Sequence, residues 1–178
     1  MITGRGRFNI YLMSALIVLG ACGCRTRSND KDKLLATFRV HVETEAEDPS
    51  REQKVPIYRA SPVYIQVEKE PFLTEAHVAS ARVLDFPSGG FDIFVQLNRQ
   101  GTWLLQEYSA SNPGKHYAIF SQFGEKGKNA RWLAAPEFKR VNSAGILQFT
   151  PDCSREEADE IVTGLNNVAK QNESNERW

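Results

Sequence analysis

The residues with chemistry to offer are three histidines, His41, His77 and His116, three cysteines, Cys22, Cys24 and Cys153, and many scattered carboxylates and serines. Hydrolytic chemistry would need a nucleophile, a base and an oxyanion site assembled together. No G-x-S-x-G elbow, H-E-x-x-H helix or Cys-His pair near a recognisable motif is present. Glu156 and Glu157 are adjacent on an expected helix and so do not share one face as a catalytic dyad would. Neither Cys22-Gly23-Cys24 nor the dispersed histidines have zinc-ligand spacing. The acidic run Glu43, Glu45, Glu47 and Asp48 lacks the glycine a calcium loop needs at its sharp turn, and reads as a solvated strand end and loop. Lys126-Gly127-Lys128 does not belong to a G-x-x-x-x-G-K-[ST] loop. The expectation is a protein that is not an enzyme and uses neither cofactor nor metal.

Cys22 has a different chemistry in view. Arg5 and Arg7 precede an apolar run from Ile10 to Val18, which Leu19-Gly20-Ala21-Cys22 closes. A positive flank, a short apolar core and small residues form an export signal. The run is shorter than the about 20 residues that cross a bilayer as a helix. Leu-Gly-Ala-Cys resembles a bacterial lipobox, which implies a signal peptide over residues 1–21 and acylation of Cys22, so that the protein is held to the lipid bilayer. The alternatives are a plain signal peptide cut near Cys24 or an uncleaved anchor. Either way the expected place is the bacterial cell envelope, with the domain facing the periplasm or the exterior. Cys24 and Cys153 are expected as free or buried thiols, and spacing leaves a disulfide between them open.

The composition suits one globular domain with tails: 41% hydrophobic, 25% charged, and Lys plus Arg balancing Asp plus Glu at 22 each. A net charge of zero and the lack of a basic stripe with interleaved aromatics argue against a nucleic-acid partner. Residues 22–33 read as a polar tether. Residues 34–72 read as a β-rich segment: Leu35 to Val42 alternates, with His41 on its polar, solvated face, and Val55 to Tyr58 and Val63 to Val67 flank a turn. From 73 to 170 the pattern is strand at Val83 to Phe86, turn at Pro87-Ser88-Gly89-Gly90, and strand at Phe91 to Leu97. A helix capped by Asn98 follows, with Gly101, Leu104, Leu105 and Tyr108 on one face and Trp103 as core or rim packing.

Next come a hairpin, Tyr117 to Gln122 and Arg131 to Ala134, a strand at Ile146 to Phe149, and a last helix. Ser154 and Glu157 form a capping box there, and Ala158, Ile161, Val162, Leu165 and Val168 form its apolar stripe. Residues 171–178 read as a polar, frayed tail. The fold class expected is α+β, a mixed or mainly antiparallel sheet with two principal helices packed on it.

From Leu73 onward the order of features resembles the head subdomain of the first periplasmic domain of SecD, in the SecDF protein-export family. The residues that carry it are Leu73-Thr74-Glu75-Ala76, Val83, Gly89-Gly90, Ile93-Phe94-Val95, Gly101, Asn112-Pro113-Gly114-Lys115, Ala118-Ile119, Ala134-Ala135-Pro136, Gly145 and Ser154-Arg155-Glu156-Glu157-Ala158. The chain departs from the family pattern in an enlarged loop between Phe123 and Trp132, a single Gly145 in place of a glycine pair, and Pro151-Asp152-Cys153.

The resemblance implies a module that contacts unfolded polypeptide or protein translocase components, without the transmembrane bundle that couples SecD to proton flow. Phe123, Trp132 and Phe138, in or beside the divergent hairpin, become candidate polypeptide contacts, with closure of the core as the alternative role for each. A structural or scaffolding envelope lipoprotein with no export role is the other function compatible with the fold.

Overall fold

A computed structural model describes residues 34–45 and 48–175. Cys22, Cys24, the expected signal peptide and the tether lie outside them. The strands are β1 (Arg39–Val42), β2 (Glu52–Ile57), β3 (Val63–Glu68), β4 (Val78–Asp85), β5 (Phe91–Leu97), β6 (Tyr117–Phe123), β7 (Asn129–Ala134) and β8 (Ile146–Phe149). Two α-helices among the described residues, α1 (Arg99–Ser111) and α2 (Arg155–Asn175), complete an α+β fold.

All pairings are antiparallel. One sheet has the order β1-β6-β7, a second β4-β5-β8, and β2 and β3 form a separate hairpin. Both three-stranded sheets and both helices contribute to one core, which includes Phe38, Val40, Ile93, Val95, Leu105, Ile119, Leu133, Leu147, Ile161 and Leu165. The β2–β3 hairpin covers the opposite face of the first sheet. Val55, Ile57 and Val67 meet Ala118 there, with Ile65, Trp132 and Ala135 packed at the edge.

That second layer changes the reading of His41. The residue is 4% exposed, its Nδ1 lies 2.8 Å from the Glu68 carbonyl, and its ring meets Trp132 edge-on with centroids 5.2 Å apart. It is the outward residue of β1, as alternation requires, but outward here means under the hairpin. The first strand is also shorter than its alternation suggests. The Phe38 N–H goes to the Glu75 carboxylate at 3.1 Å, so a side chain takes the place of a strand rung. Residues 34–72 are tied into the rest of the fold: β1 pairs with β6, the Val40 N–H donates to the Leu73 carbonyl, and the Phe72 N–H donates to the Val40 carbonyl.

Helix α1 starts as its sequence requires, with Asn98 Oδ1 accepting from the Gly101 N–H at 2.9 Å. Gly101 and Leu105 are buried, while Trp103 is 62% exposed and is not a packing residue. Helix α2 is capped reciprocally: Glu157 N–H donates to Ser154 Oγ at 3.2 Å and Ser154 N–H to Glu157 Oε2 at 2.9 Å. It buries Ala158, Ile161, Leu165 and Ala169 and continues to Asn175, through the residues expected to fray. No helix among the described residues is long and apolar enough to cross a membrane.

Candidate functional site

The three aromatic candidates do not gather at one surface. Phe123 is fully buried on the inner face of β6, with the Arg131 guanidinium 5.5 Å from its ring centre. Phe138 is 4% exposed and stacks on Tyr117 at 4.5 Å. Both therefore close the core, because strand alternation and the fold of residues 136–138 over β6 turn them inward, and neither is an exposed anchor. Trp132 is half-buried between His41 and Phe120, each ring centre 5.2 Å away. It serves mainly as the floor on which the β2–β3 hairpin rests.

What the chain does form beside Phe138 is a cleft of about 580 Å³. Leu105 of α1 and Tyr117 of β6 lie at its base, Phe138 and Val141 on one wall, and Ile146 and Gln148 of β8 on the other. A short ladder of rings backs it, with Tyr108 stacked on Phe72 at 4.2 Å and Phe72 against Phe138 at 6.3 Å. Burial pushes the Tyr117 phenol up to about 12. The segment that walls the cleft is anchored from both sides. Gly114 N–H and Phe138 N–H bond to Phe138 and Lys115 carbonyls, at 3.1 and 2.9 Å. Asn142 N–H donates to Ser109 Oγ at 2.9 Å. At the end of this segment, Gly145 takes φ +67, and a Cβ there would lie 2.0 Å from Thr102 Oγ1, so only glycine lets β8 start this close to α1. Lys139 and Arg140 stand exposed at the rim.

A second surface lies at the tip of the β2–β3 hairpin, where Tyr58, Val63 and Tyr64 are 46%, 53% and 59% exposed. Tyr58 adopts φ +65, a left-handed conformation that costs energy for a side chain of its size. Arg59 ties the tip to the body: its N–H donates to Asp152 Oδ2 at 2.8 Å and its Nε does so at 3.2 Å.

The titratable groups are otherwise engaged in structure. Arg131 donates to both Glu157 oxygens, at 2.7 and 2.9 Å, which holds the Glu157 carboxyl below its ordinary value. This pair escaped a reading of the sequence, which assigned Glu157 only its cap. Its signal was an arginine in a strand that otherwise reads as half-buried. Burial raises Cys153 to about 12, leaving a thiol rather than a thiolate at neutral pH. His77 Nδ1 accepts the Thr74 N–H at 3.0 Å, and His116 Nδ1 lies 2.9 Å from Glu43 Oε2. Among the described residues, no three His, Cys, Asp or Glu side chains come together as a metal site.

No protein-family model matches the sequence, and no curated protein matches it. Solved structures do. One is SecDF in its super-membrane-facing form, 19% identical with a TM-score of 0.53 over 74% of this chain. The chain spans only 19% of the length of that SecDF chain. Another is a structure of the membrane component SecDF that enhances protein export, 18% identical with a TM-score of 0.53, covering 93% of this chain and 72% of that one. At such identities the likeness is one of fold, and the fold of this chain is SecD-like.

Proposed function

We propose that this protein is a non-catalytic, lipid-anchored component of the cell envelope whose SecD-head-like module binds polypeptide or export machinery during protein translocation. What supports the reading is the SecD-like fold, matched over 93% of the chain to a structure of a component that enhances protein export. The cleft beside β8 offers room for a chain segment, with mixed polar and apolar lining and a strand for one wall. Acylation of Cys22 would hold that cleft near the membrane where exported chains emerge.

The test is chemical cross-linking of the full protein in its native envelope, followed by identification of the captured chains. Translocase subunits or exported precursors are expected. Exclusive capture of other envelope components, with no effect of deletion on export, would favour a scaffolding role and overturn this one. For the anchor, Cys22→Ala should abolish incorporation of labelled fatty acid, and persistent labelling would refute it.

A further inference from the structure

The central strand of the second sheet sets the phase of both edges. Residues of β5 bond alternately to one neighbour and the other, as antiparallel pairing dictates. The Leu97 N–H donates to the Gly145 carbonyl at 2.8 Å, so Leu97, Val95 and Ile93 make the rungs toward β8. Their partners on β8 are Leu147 and Phe149. Ile146 and Gln148 must then aim N–H and C=O away from the sheet. A contact from the outer side agrees, since Asn142 Nδ2 reaches the Ile146 carbonyl at 2.7 Å.

The opposite edge follows the same rule and is closed. Ala81 of β4 sits opposite Val95, out of phase with the β4–β5 rungs. The Asn166 amide of α2 satisfies both of its outward groups, accepting from its N–H at 2.8 Å and donating to its carbonyl at 3.0 Å. One side chain thus imitates a neighbouring strand. No such device meets Gln148: among the described residues its N–H and C=O have no backbone or side-chain partner, and the residue lines the cleft. An open edge of this kind is a template for another strand.

We propose that the outer edge of β8 binds a short extended polypeptide as a fourth strand, with an alternate side chain of that segment lowered into the cleft against the exposed Val141. This rests on the polypeptide-binding reading above and gives it a site. The occupant is a peptide backbone, because the edge offers an N–H and C=O pair in strand phase within a cleft of mixed polar and apolar lining, and an extended chain matches both. Lys139 and Arg140 at the rim favour neutral or acidic segments. Because Asn142 already holds the Ile146 carbonyl, the open pair is that of Gln148, and the contact is limited to a short segment.

Proline tests this without needing the bound sequence. Gln148→Pro removes only an outward N–H, a place where an edge strand tolerates proline. Gln148→Ala keeps that N–H while losing the same side-chain bond to Asp92, 2.8 Å long. The probe is dye-labelled α-lactalbumin, reduced and carboxymethylated so that it stays unfolded, titrated against the full chain. Gln148→Ala should bind within about twofold of the native protein, and Gln148→Pro about tenfold or more weaker, the cost of a lost hydrogen bond and of a ring set against the incoming strand. Equal binding by the two variants would overturn the edge site and leave polypeptide binding standing. No binding by the native chain would overturn both. Should Gln148→Pro fail to fold, amide exchange in the native protein decides, since the Gln148 amide must slow when the probe is added and an unchanged rate refutes the site. A dimer of the native chain that Gln148→Pro dissociates would assign the edge to a second copy and overturn the polypeptide proposal.

Discussion

Glu157 serves two partners with one carboxylate, the amide of Ser154 that opens α2 and the guanidinium of Arg131 from β7. The pair is mostly shielded, with side chains 16% and 24% exposed, so its hydrogen bonds count for more than those of a surface pair. Glu157→Gln should lower unfolding stability at pH 7 by about 1–2 kcal/mol in chemical denaturation. The pH dependence has a definite sign. Arg131 depresses the folded carboxyl below its ordinary 4.5, so the stabilisation is complete above that value and is lost as pH falls through the lower, folded one. The native protein should therefore lose stability below about pH 4.5 more steeply than Glu157→Gln. Cys153 offers an independent check. Its thiol, raised to about 12, should resist alkylation at pH 8 in the native state and react promptly in denaturant, as mass spectrometry at that residue would read. Trp132→Ala should cost about 3 kcal/mol by undermining the hairpin that rests on it.

At the scale of elements, α2 is held by its cap and by close approach. Ser154→Ala should lower stability by about 1 kcal/mol, read from the unfolding midpoint. Gly164 inverts a familiar expectation. Replacing a helical glycine by alanine ordinarily stabilises by about 1 kcal/mol, but a Cβ here would lie 2.6 Å from the Ala36 backbone nitrogen. Gly164→Ala should therefore lower the midpoint. The elements themselves were largely legible: both helices, their caps, and β5 and β8 stand where apolar period and turn residues put them. What periodicity could not supply is what lies on the far side of an element. His41 alternates as a polar-face residue, and only the crossing β2–β3 hairpin makes that face an interior. Trp103 suits the apolar face by type but lies two residues before the buried Leu105, about 200° around the helix from it, and so faces solvent. The tail expected to fray extends α2, because helical residues such as Gln171 and Glu173 prolong a helix without needing burial.

For the whole molecule, the order of features along the chain carried the SecD-like fold, while two of the three candidate contacts, Phe123 and Phe138, lie buried in the core. Phe123 and Phe138 drew attention because they flank a divergent loop, yet local sequence has no term for the burial that β1 and α2 impose on β6. The cleft was illegible for the same reason: its walls come from residues 105, 117, 138 and 146, which only tertiary structure assembles. The junction of the two ends has a further consequence. Residues 34–36 lie against α2, where Asn167 Nδ2 holds the Leu34 carbonyl at 2.9 Å and Gly164 admits the Ala36 backbone. β1 in turn waits for β6, about two-thirds of the way along the sequence. A chain emerging from its N-terminal end thus displays all eight strands before the helix that seals them exists. Its core can close only after residue 155 onward has been delivered, so vectorial synthesis leaves the domain open to proteases and helpers until α2 is present, and then completes it at once.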